Sequence, residues 1–144
     1  MTQEDKKILI KDLCARLPYN VKCYYQFTEK DCTIVGIWGV ESVRIEDSIG
    51  RGKWETVEVI KPYLRPMSSM TDEEKEELKQ EFCMDVREED NGRHTEEYGY
   101  VTVYHNFNNE TWYIQYEAID WLNERHFDYR GLINKGLAIE IKNS

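Results

Sequence analysis

Positive charge is scarce in this sequence. Nineteen lysines and arginines stand against 28 aspartates and glutamates, a formal net charge of −9. Non-specific binding to nucleic acid or to anionic lipid draws on clustered Lys and Arg, so neither is expected. Long apolar runs are also missing: the longest nearly uncharged one, Cys32–Val40, falls far below the roughly 20 residues of a membrane span. The four cysteines (Cys14, Cys23, Cys32 and Cys83) have no paired x₂ spacing. The first residues carry a polar helix signal rather than a secretory segment, so a reduced, cytoplasmic chain is the expectation. His94, His105 and His126 are scattered and match no zinc-ligand spacing. No metal and no cofactor is expected. Ser68 and Ser69 lack the glycine-flanked strand–turn–helix elbow of a serine nucleophile. They precede a helix cap, where serine bonds local backbone. A phosphate-cradling glycine loop is absent too. Ile49-Gly50-Arg51-Gly52-Lys53 has two glycines and two bases, but a strand signal follows it, so it reads as a hairpin loop before an anion site.

What remains is a well-stocked small chain. Its 144 residues suit one domain, and a chain of this size buries roughly 68–70% of its unfolded surface. Mean hydropathy is −0.74, yet the 4 Trp, 10 Tyr and 4 Phe argue against disorder, because disordered chains are poor in aromatics. Thr2 with Asp5 resembles a capping box, and Leu9, Ile10, Leu13, Cys14 and Leu17 recur at helical spacing until Pro18 stops the helix. Alternation then takes over. Val21–Phe27 reads as a strand, Thr33–Val40 as a second and more buried one with Gly36 and Gly39 as bulge candidates, Val43–Ile45 as a third, and Thr56–Ile60 as a fourth. Short connections favour an antiparallel meander. Pro62 and Pro66 bracket an extended connector.

Thr71 and Glu74 form a capping box that opens an acidic helix over 71–84, with Leu78 and Phe82 as its only clear anchors. Residues 71–90 hold ten acids and three bases, a net −7 of the chain's −9. Residues 88–97 read as an exposed loop or hairpin tip. Tyr98–Tyr104 reads as a strand with Tyr98, Tyr100 and Tyr104 on one face, and Thr111–Ile114 as its return. Tyr116 to about Arg125 has helical spacing. Asp128 is placed to cap a short turn over Arg130–Lys135 that Gly136 ends, and Leu137–Ile141 is a last strand or a docked tail. The expected fold is therefore a single α+β domain over 1–144: an N-terminal helix, an antiparallel sheet of about four to six strands, an acidic surface helix, and a C-terminal helix with a short capped turn. Residues 116–141 are expected to pack on the sheet through Ile119, Leu122, Leu132, Ile133 and Leu137.

The densest polar cluster is Arg125-His126-Phe127-Asp128-Tyr129-Arg130. It offers a base, an acid and two guanidiniums, the groups that acid–base or phosphoryl chemistry uses. The structural reading competes with it: Arg125 and His126 offset a helix dipole, and Asp128 caps a turn.

Two segments, PYLRPMSSMT at 62–71 and DWLNERHFDYRGLINKGLAIE at 120–140, carry a resemblance. They resemble short acidic proteins of unassigned function encoded in Bacteroidales genomes and in their phages and integrated elements. The resemblance implies a bacterial cytoplasm or a phage as the setting, and it transfers no catalytic residue.

Three function classes follow. The first is a non-catalytic accessory protein that binds another protein through Asp72, Glu73, Glu76, Glu77, Glu81, Tyr98, Tyr100 and Tyr104, since acidic surfaces steer basic partners. The second is a small hydrolase using His126 and Asp128, with Arg125 or Arg130 holding an anion. The third is an acidic nucleic-acid mimic, disfavoured because the charge sits in one stretch instead of along a surface.

Overall fold

The computed structural model describes residues 1–82, 85–88, 100–104 and 110–141. Helix α1 (Gln3–Arg16) opens on a closed capping box: the Asp5 N–H donates to the Thr2 hydroxyl at 3.1 Å, and the Thr2 N–H donates to the Asp5 carboxylate at 3.2 Å. Asp, although shorter than the usual Glu or Gln, reaches back far enough. Pro18 turns the chain through a single 3-10 turn, Leu17–Tyr19, and Asn20 at φ 61° redirects it.

The strands β1 (Lys22–Tyr25), β2 (Lys30–Trp38), β3 (Ser42–Glu46) and β4 (Gly52–Thr56) follow as an antiparallel meander, and β5 (Ile60–Pro66) returns to pair with β1. Alternation places Cys23, Tyr25, Cys32, Ile34, Val43, Ile45, Ile60 and Leu64 on one buried face, in a core shared with Leu9 and Leu13 of α1. Full burial of such aliphatic side chains stabilises by about 1.5–3 kcal/mol each. Leu132, Leu137 and Ala138 complete this core. They precede β10 (Ile139–Glu140), which lies parallel to β5. This first compact unit comprises residues 1–64 and 132–144.

The second unit, residues 65–131, begins within β5. The end of that strand pairs in parallel with β9 (Phe127–Asp128). A 3-10 turn, Met67–Ser69, leads to α2 (Asp72–Phe82), which Thr71 and Glu74 cap reciprocally at 3.1 Å each way. The strands β6 (Asp85–Glu88), β7 (Tyr100–Tyr104) and β8 (Glu110–Gln115) form an antiparallel sheet of order β6-β8-β7, and α3 (Tyr116–Glu124) follows. Met67, Met70, Leu78, Ala118, Trp121, Leu122, Phe127 and Tyr129 are its core.

The α+β class holds, with several corrections. The larger sheet is mixed, not antiparallel throughout, because β9 and β10 both run parallel to β5. Residues Val57–Val59 form a 3-10 turn in place of a strand, and the fourth strand lies earlier, over Gly52–Thr56. The turn is held at Glu58, which pairs with Lys6 of α1 at 2.7 Å. The proline-bracketed connector is β5 itself, an interior strand: Pro62 stands opposite Cys23, and Pro66 opposite Asp128. No helix covers Arg130–Lys135. A turn closes there through Leu137 N–H to Leu132 C=O at 2.9 Å and Gly136 N–H to Ile133 C=O at 3.0 Å. Gly136 at φ 74° supplies the left-handed residue that the turn needs. The C-terminal anchors divide: Leu132, Ile133 and Leu137 serve the first core, Ile119 and Leu122 the second. The loop expected over 88–97 begins later, since Glu88 ends β6, and 89–97 lie outside the described residues.

Candidate functional site

Of the segment read as a catalytic cluster, Arg125 and Phe127 join a stack in the second unit, whereas His126, Asp128 and Arg130 lie outside it. Trp121 of α3 and Phe127 of β9 lie nearly parallel, 4° apart with ring centroids at 5.9 Å. The Arg65 guanidinium sits 4.1 Å from the Phe127 centroid, and the Arg125 guanidinium 4.0 Å from that of Trp121. Four planar groups thus pile in the order Arg65, Phe127, Trp121, Arg125. Aromatic and guanidinium faces attract in this geometry. Helix α2 holds both ends. Glu74 accepts two bonds from Arg65, at 2.8 and 3.0 Å, while Glu77 accepts from Arg125 at 3.1 Å and from the Trp121 indole at 3.2 Å. The three-residue spacing puts Glu74 and Glu77 on one helix face. Arg65 beside it holds the Glu74 carboxyl below its ordinary range.

His126 follows α3 instead of lying in its last turn. It takes φ 64°, and its carbonyl accepts from the Arg65 N–H at 2.7 Å. Asp128 does not cap a helix: it is buried within β9. A two-residue pairing that begins at Arg65 draws it in. Tyr129 is also buried and donates to Asn123 at 2.9 Å, and the Arg130 guanidinium stands 5.1 Å from the Tyr129 ring. These contacts tie the 125–130 segment into packing and backbone pairing. Segments 62–71 and 120–140 supply all four members of the stack.

The proposed docking residues fall in several places. Asp72, Glu73, Glu76, Glu77 and Glu81 are exposed on α2, and Glu77 is the one engaged with Trp121 and Arg125. Tyr100 and Tyr104 are the end residues of β7, in register with Gln115 and Thr111 of β8. Tyr98 lies outside the described residues.

The first unit holds features that sequence reasoning undervalued. The loop read as a hairpin before an anion site, with the β1–β2 turn beside it, borders a cavity of about 320 Å³ that includes Lys30, Arg51 and Lys53 in its walls and Cys32 in its lining. Its two carboxylates are engaged. Asp47 accepts from the Ile49 and Arg51 N–H groups, which lower its pKa, and Asp31 accepts from the Tyr63 hydroxyl at 2.6 Å. Burial, reinforced by that bond, pushes the Tyr63 phenol up to about 12. No group of three or more His, Cys, Asp or Glu is arranged to hold a metal among the described residues.

The strand expected to be more buried exposes Val35 and Trp38 beyond Ile34, while Ile37 stays half-buried against the core. A register shift at Val35 breaks the alternation, and Trp38 and Val40 stand 75% and 73% exposed at the β2–β3 turn. Trp54 on β4 is 50% exposed. Its ring reaches over β3, so that a Cβ at Gly36 would lie 3.6 Å from the indole. The signal in the sequence was Gly36 itself: a glycine inside a strand marks a close approach.

No protein-family model, curated protein or solved structure matches the chain significantly.

Proposed function

We propose that the chain is a non-catalytic accessory protein that binds another protein, with the tryptophan-bearing end of the meander as its contact. The observation that carries this reading is the exposure of Val35 and Trp38 on β2, of Val40 in the turn after it, and of Trp54 on β4, the two strands that flank β3 in the larger sheet. Isolated exposed apolar residues are ordinary, whereas clustered large ones mark interaction surfaces. Tryptophan is also enriched among residues that dominate binding energy. The exposed carboxylates of Asp72, Glu73, Glu76 and Glu81 offer a second, electrostatic contact on α2, suited to speeding encounter with a basic surface.

The test is affinity capture from a lysate of the encoding organism, comparing the wild type with Trp38→Ser/Val40→Ser at low and high salt. A protein retained by the wild type and weakened at least ~tenfold by the variant supports the reading, since a central tryptophan contact is worth about 2 kcal/mol or more. Equal capture by both removes the tryptophan contact. A partner lost only at high salt moves the contact to α2, and no capture even at low salt refutes the reading as a whole.

A further inference from the structure

The free edge of β4 has a definite hydrogen-bonding phase, and its side chains carry a definite charge order. Among the described residues the larger sheet ends at β4, which pairs only with β3. The Asp47 N–H donates to the Arg51 carbonyl at 2.9 Å, and the Val57 N–H to the Glu41 carbonyl at 2.8 Å. Hydrogen-bonded pairs alternate along an antiparallel ladder. With Ile45 opposite Lys53 and Val43 opposite Glu55, those two bonds make Lys53 and Glu55 the β4 residues bonded to β3. The N–H and C=O groups of Gly52, Trp54 and Thr56 therefore point outward, away from the sheet.

We propose that β4 is a self-association edge: two copies of the chain pair antiparallel about a two-fold axis at Trp54. In that register Trp54 meets Trp54 of the second copy, and Gly52 meets Thr56, so every outward N–H and C=O of the strand finds a complement. Lys53 then faces Glu55 of the second copy, twice by symmetry, as a non-hydrogen-bonded pair whose side chains come close. The neighbouring registers that keep the same hydrogen-bond phase put Lys53 opposite Lys53, or Glu55 opposite Glu55. The charge order thus admits one alignment and penalises both slips. Lys53 and Glu55 share the face on which Tyr25 holds them: the Tyr25 hydroxyl donates to Glu55 at 2.8 Å, and the Lys53 ammonium lies 4.7 Å from the Tyr25 ring centroid. Trp54 folds back over β3 toward Gly36 on the other face, which leaves the strand edge clear of its ring. Charged edge residues ordinarily blunt a sheet against pairing. Here their order is self-complementary, as an isologous contact requires.

The test is sedimentation velocity of the purified full chain from micromolar to millimolar concentration. A reversible monomer–dimer equilibrium is expected. Lys53→Glu, which sets two carboxylates against each other at both ends, weakens it by about tenfold or more, and adding Glu55→Lys restores it. Thr56→Pro removes one outward N–H. The native φ of −81° suits proline and no bond to β3 is lost, so this variant stays folded and dimerises more weakly. A chain that is monomeric at millimolar concentration overturns the proposal. So does a Thr56→Pro variant that pairs like the wild type, or a charge swap that fails to restore pairing. None of these outcomes bears on capture of a different protein by Trp38 and Val40.

Discussion

Replacing Phe127 by leucine isolates the stack of the second unit. The ring is fully buried between the Arg65 guanidinium, 4.1 Å from its centroid, and Trp121, 5.9 Å away and nearly parallel. Leucine keeps the site apolar but forfeits both faces. The aromatic pair is worth about 0.5–1.5 kcal/mol beyond its burial, and the cation contact about 0.5–1 kcal/mol. With the volume lost, Phe127→Leu is expected to cost about 2–3 kcal/mol. The assay is native-state amide exchange, read at the Arg65 N–H that bonds the His126 carbonyl at 2.7 Å, where that loss corresponds to about 30- to 150-fold faster exchange if opening of this unit limits it. Trp121→Leu and the double variant complete a cycle whose coupling energy is expected at about 0.5–1.5 kcal/mol. Strict additivity of the two substitutions would refute the stack as an energetic unit and leave only independent burial.

Two further outcomes follow from the titratable groups. The folded pKa of Glu74 is lowered by Arg65, so its contribution is complete above its unfolded value near 4.5 and is lost as pH falls below that toward the folded value. Denaturation midpoints of the wild type should fall over that acid range more steeply than those of Glu74→Gln, and parallel curves would refute the assignment. Burial pushes the Cys23 thiol up to about 12 and raises that of Cys32, whereas Cys14 is exposed. Iodoacetamide at neutral pH should therefore label Cys14 in the folded chain, and Cys23 and Cys32 only after unfolding, as read by peptide mass spectrometry.

The elements legible in the sequence were those with a period or a cap: α1 and α2 with their boxes, α3, and the strands with regular alternation. What escaped was structure without a pattern of its own. β9 and β10 are two residues each, too short for any period, and exist because β5 offers a partner strand. Two prolines disguised β5, although proline stays compatible with extended backbone where its missing N–H is not needed. β6 reads Asp-Val-Arg-Glu and was hidden in the acid-rich stretch. At the site, the composition of 125–130 was visible but its duty was not, because its partners Arg65, Glu74 and Glu77 come from a distant part of the chain, 48 residues away in the case of Glu77 and Arg125. The buried pair of Asp12 and Arg16, bonded at 2.7 and 3.1 Å, was likewise hidden on a helix read only for its apolar face.

The division of the chain also governs the order in which it can fold. Residues 65–131 are a continuous segment that interrupts the first unit in sequence, and that unit's core needs Leu132, Leu137 and Ala138 while β5 needs Ile139 and Glu140. During synthesis the second unit has its whole core before the first does. The N-terminal helix and meander must wait, with part of their apolar surface uncovered, until residues 132–141 emerge. Such long-range closure slows folding and lengthens exposure to misassembly. A nascent chain halted after Gly131 should therefore hold a protected second unit and a protease-sensitive first one.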